Sequence, residues 1–71
     1  MKRYAIVVEN AGTNLAASVP DLPGCVATGL TLRELKRRIR GAIAMHLEGL
    51  ADDGLPIPEP STAVEYVEVD A

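Results

Sequence analysis

Seventy-one residues with seven bases against ten acids, one cysteine, one histidine and neither phenylalanine nor tryptophan predict one small domain over 1–71, and a chain this short hides only about 60% of the surface its unfolded form exposes. The lone Cys25 excludes an internal disulfide and, with a single His46, a four-ligand structural zinc site. The apolar run after Lys2 and Arg3 is too short for a secretory core or a membrane span, so the expected location is the cytoplasm, with no membrane contact.

The first element is RYAIVVE, Arg3 to Glu9, a β-branched apolar run closed by NAGTN, whose Gly12 and two asparagines are turn residues. LAASV, Leu15 to Val19, forms the second strand and stops at Pro20, which has no N–H for a central ladder. PDLPG, Pro20 to Gly24, makes a rigid corner around Leu22 and returns the chain as a third strand, CVATG, Cys25 to Gly29. Thr31 then stands at an N-cap position with Glu34 three residues on, a capping box worth roughly 1 kcal/mol. Leu32, Leu35, Ile39, Ala42, Ile43, His46 and Leu50 recur at three- and four-residue steps, so one long amphipathic helix runs to the DDG of Asp52 to Gly54. Pro56, Pro58 and Pro60 enforce an extended exit, and AVEYVEV, Ala63 to Val69, has strand composition. The expected architecture is α+β in the order β-β-β-α-β: a three-stranded antiparallel meander plus one strand, with one long helix packed on one face.

Charge is distributed unevenly. Residues 1 to 40 hold all seven bases and three acids, a balance of +4, whereas residues 41 to 71 hold seven acids and no base. Such polarity marks two interaction surfaces or self-association of unlike ends. The first strand places apolar residues on both faces, and one helix covers only one of them, so a homodimer or higher homo-oligomer is expected to cover the other.

The succession of YAIVVE, VPDLPGC, the Gly and Thr of TGLT, the helix ending AIAMHLEGLADDG and the PIPEPST exit resembles the HicB antitoxin family over nearly the whole chain. The resemblance implies a partial RNase H-like fold. It also implies an antitoxin that binds and neutralises a small HicA-type mRNA-cleaving toxin, an inhibitor and not an enzyme. HicB proteins commonly add a helix-turn-helix or ribbon-helix-helix module; none fits before Ala71, so DNA binding by this chain alone is not expected. The basic stretch Arg33 to Arg40 also departs from the acidic, alanine-rich helices of related sequences.

Candidate sites follow from charge. Arg33, Lys36, Arg37 and Arg40 cluster opposite the apolar stripe, as a solvated face, a dock for an acidic partner, or a nucleic-acid face; the last would make the chain a stand-alone oligomeric regulator. An orphan protein-interaction module is a further alternative. An inhibitor of an RNA-cleaving protein faces a surface shaped for phosphate, which carboxylates can imitate. Glu59, Glu65, Glu68 and Asp70 are therefore the candidate electrostatic contacts and Leu22 the candidate apolar one. His46 lacks an aligned partner for acid–base work and Cys25 reads as a small buried residue. The scattered carboxylates Glu9, Asp21, Glu65 and Glu68 do not form the converging set that metal-dependent RNase H chemistry needs. No catalytic residue, metal or cofactor is expected.

Overall fold

The computed structural model describes all residues, 1–71, and contains β1 (Val7–Asn10), β2 (Leu15–Ser18), β3 (Val26–Gly29) and α1 (Leu32–Asp52). The strands form an antiparallel meander in the order β1-β2-β3. Val7 lies opposite Ser18 and Asn10 opposite Leu15, and Leu15 in turn lies opposite Gly29. The β1–β2 turn is closed by the Ala11 N–H donating to the Asn14 carbonyl (2.8 Å) and the Gly12 N–H to Asn10 Oδ1 (3.0 Å), with Gly12 at φ 95°. That left-handed backbone is why a glycine stands there.

The first strand is shorter than its composition suggests. Residues 3 to 6 lie outside the ladder, because the register that pairs Val7 with Ser18 would bring Ala5 opposite Pro20, which has no N–H to give. Tyr4 and Ile6 nonetheless pack against the core.

The strand period separates two faces. Leu15, Ala17 and Val19 from the second run and Cys25, Ala27 and Gly29 from the third point at α1, whose Leu35 and Ile39 are buried and whose Ala42, Ile43 and Leu47 flank them. Leu22 is fully buried at the centre of this cluster. The corner folds over it through bonds from the Leu22 N–H to the Val19 carbonyl (3.0 Å) and from the Cys25 N–H to the Leu22 carbonyl (3.1 Å).

Gly29 is more than a turn residue. A Cβ built on it would lie 2.7 Å from the Leu35 backbone nitrogen and 2.9 Å from its Cα, so only a glycine lets the start of α1 sit against the end of β3. Thr31 caps the helix, its hydroxyl accepting from the Glu34 N–H (3.1 Å), while the Glu34 carboxylate accepts from the Leu30 N–H (3.3 Å), one residue earlier than a reciprocal box would use. At the other end the Gly54 N–H donates to Ala51 and the Leu55 N–H to Leu50, with Gly54 at φ 69°, the paired bonds that close a Schellman motif.

The fourth strand is not formed. Residues 63 to 69 have no strand assignment and are exposed throughout, and none of the backbone bonds outside the regular elements reaches beyond Leu55. Strand composition is satisfied only where a neighbouring edge accepts the N–H and C=O groups. Here the segment does not reach a ladder: Val64 shares a shallow hollow with Arg3, Tyr4 and Ala5, ahead of the strand that begins at Val7.

Candidate functional site

Two charged surfaces emerge from this scaffold. On α1, Leu32, Arg33, Lys36, Arg37 and Arg40 line one shallow hollow, as the helical period predicts. The ion pairs of the chain are Lys2–Glu59 (2.6 Å) and Arg38–Glu34 (3.3 Å), so Arg33, Lys36, Arg37 and Arg40 are all without a carboxylate partner. Arg38 sits on the flank and also donates to the Thr28 carbonyl of β3 (3.4 Å).

The second surface lies beyond the helix. Its root is held to the body by three contacts. The Tyr4 hydroxyl donates to the Pro58 carbonyl, Lys2 pairs with Glu59, and Asp21 accepts four bonds: from the Ser61 N–H (3.0 Å) and hydroxyl (3.0 Å), and from the Thr62 N–H (3.1 Å) and hydroxyl (2.8 Å). Donors aimed at a carboxylate favour its charged form. The Thr62 N–H and hydroxyl, then the Ser61 N–H, hold the Asp21 carboxyl down from 3.8 to about 2, against a small opposing effect of desolvation.

Past this latch the chain runs free. Glu65, Glu68 and Asp70 are exposed and unpaired, and Val64, Tyr66, Val67 and Val69 are exposed with them, Tyr66 at 92% and Val67 at 84%. Of the candidate contacts, Glu65, Glu68 and Asp70 therefore share one accessible segment, while Glu59 is tied back to Lys2. Leu22 requires correction: it is 0% exposed and has no surface to give a partner. Flanking prolines suggest an outward turn, but the corner is wrapped around its own leucine.

The sequence alone gives Asp21 no role. Its partners lie forty positions away, and the only signal was an acid in one proline corner and a Ser-Thr pair after another. The remaining chemistry-bearing residues lie apart from both charged surfaces. Cys25 is buried, and that burial pushes its thiol pKa up, the opposite of activation. His46 is half-buried beside Cys25 and Met45 around a shallow hollow. No group of three or more His, Cys, Asp or Glu is placed to hold a metal ion, and no helix is long and apolar enough to cross a membrane.

Comparison with known proteins matches residues 4–70 to the family model described as HicB-like antitoxin of bacterial toxin-antitoxin system. The chain is also 34% identical over 64 residues to the "Uncharacterized 14.9 kDa protein in rep-hol intergenic region" of Haemophilus phage HP1 (strain HP1c1), an overlap of 90% of this chain and 48% of that protein. The chain thus spans about half the length of this curated relative. No solved structure matches, so the RNase H-like label rests on family resemblance alone.

Proposed function

The chain belongs to the HicB-like antitoxin family, and on that premise we propose that it neutralises a small basic, mRNA-cleaving toxin of the HicA type in the cytoplasm. It does so by occlusion, without catalysis. The observation that carries this reading is the exposed segment after the latch, where Glu65, Glu68 and Asp70 stand unpaired among exposed apolar side chains. Carboxylates at that spacing offer a phosphate-binding surface the charge it is built to receive, and apolar neighbours add contact area once charge has steered the encounter.

The test is co-expression with a small basic RNase of the HicA type, followed by an RNA-cleavage assay on the purified complex and on the released toxin. A stoichiometric complex that is silent until the two are separated supports the reading. A partner that cleaves RNA equally well in the presence of excess chain would sink it.

A second reading is favoured by the unpaired Arg33, Lys36, Arg37 and Arg40: an oligomeric regulator that binds nucleic acid through the helix. It predicts steeply salt-dependent binding. Replacing Arg33, Arg37 and Arg40 with Glu would abolish that binding and leave toxin inhibition intact.

A further inference from the structure

The two ends of the basic half of the chain meet in space. On α1, Arg33, Lys36, Arg37 and Arg40 line one hollow. Lys36 and Arg40 also line a second, which lies between the helix and the segment ahead of β1 and has Lys2 and Arg3 in its wall. The two shared side chains make the hollows one continuous surface, and it gathers six of the seven bases of the chain. No acid lines either hollow, and Arg38, the seventh base, is paired with Glu34 at the flank. A chain of net charge −3 thus presents one strongly positive face.

This face also has an apolar floor. Tyr4, Ile6 and Ile43, each half-buried, line the same hollow as Lys2, Arg3, Lys36 and Arg40. The wall is held in place from behind, because the Tyr4 hydroxyl donates to the Pro58 carbonyl and Lys2 pairs with Glu59. A ligand reaching the floor meets side chains already ordered, which lowers the cost of binding.

We propose that this joint surface binds single-stranded nucleic acid, with phosphates along the helix cations and Arg3 and a base on the floor beside Tyr4. The inference rests on the second reading above and deepens it: that reading needs only the helix, whereas this one adds the segment ahead of β1 and selects the single strand. Four of the six cations are arginines, whose planar guanidinium grips phosphate bidentately and stacks on aromatic faces. From Arg33 to Arg40 the helix rises about 10 Å, about three nucleotides of a stacked strand. A duplex turns its bases inward and leaves an apolar floor empty, whereas a single strand has a free base face to lay on it. An acidic peptide is the competing occupant, and the nearest one is the chain's own tail. Val64 shares a hollow with Arg3 and Tyr4, yet Glu65, Glu68 and Asp70 pair with none of these bases.

The experiment follows the fluorescence anisotropy of labelled oligouridine and oligothymidine as the full chain is added at a series of salt concentrations. The expected result is saturable binding that weakens as salt rises and is weaker for a duplex of equal length. Arg3→Gln and Arg37→Gln should each lower the slope of log affinity against log salt by about 0.7, the share of one phosphate contact on a single strand. Arg38→Gln, an equal loss of charge at the flank, should leave the slope unchanged. All three side chains are exposed, and helical circular dichroism checks that each variant is folded. The chain has no tryptophan and two tyrosines, so Tyr66→Phe leaves Tyr4 as the reporter, and the bound strand should quench its emission. If Arg37→Gln lowers the slope and Arg3→Gln does not, or if the duplex binds as tightly as the single strand, the helix-only reading stands and the joint surface falls. An unquenched Tyr4, or polyglutamate binding as tightly as a strand of equal charge, would also overturn it. No saturable binding of any nucleic acid would overturn both.

Discussion

Asp21 and Leu22 are neighbours in the proline corner and do opposite work. Leu22 faces inward and fills the centre of the core; Leu22→Ala should cost about 2–5 kcal/mol, as buried leucine truncations do, read from urea unfolding. Asp21 faces the exit and is held charged by Ser61 and Thr62, its carboxyl lowered from 3.8 to about 2. A pKa lowered in the folded state contributes stability above the unfolded value and loses it as pH falls through the folded one. The folded chain should therefore lose this contribution between about pH 4 and about pH 2. Asp21→Asn should flatten that part of the acid limb, and proton exchange at the Ser61 and Thr62 amides should rise in the variant even at neutral pH.

At the scale of elements, the close approach of β3 and α1 is the most exacting contact. Gly29→Ala places a methyl carbon 2.7 Å from the Leu35 nitrogen, where the obstacle is helix backbone and cannot rotate away, so the variant should lose about 1–3 kcal/mol with a lowered melting temperature. Thr31→Ala removes the hydroxyl bonded to the Glu34 N–H and should cost about 1 kcal/mol. Much of this level was legible in the sequence. The meander, the helix and its cap each rest on short-range signals: turn residues, a period, a hydroxyl followed by a carboxylate. What depended on distant partners was not legible. The pairing of the first strand is limited by Pro20 across the ladder, and the Asp21 latch joins segments forty positions apart. Residues 63 to 69 read as a strand from composition, but a ladder requires bonds to a neighbouring strand, and this segment makes none. The same limit applies to the candidate site: acids clustered in sequence were found together on the exposed tail, whereas Leu22 was misread because local turn chemistry says nothing about which side of the turn is packed.

For the whole molecule, charge is segregated between a basic helix face and an acidic tail, with Glu65, Glu68 and Asp70 free of ion pairs. Replacing these three with Lys should slow association with a basic toxin by roughly tenfold or more at low salt and should reverse the salt dependence of the on-rate, measured by stopped flow, because salt then screens a repulsion. A rate unchanged by the reversal would move the toxin contact off the tail. The latch has a further consequence in the language of tethers. With Asp21 bonded, the free segment begins at residue 63; with the latch removed at neutral pH by Asp21→Ala it begins just after Glu59, still held by Lys2. The local concentration of a tethered end falls as about the −3/2 power of tether length once the span is exceeded. A single carboxylate in the corner thus shortens the tether on which the tail searches any surface it must find.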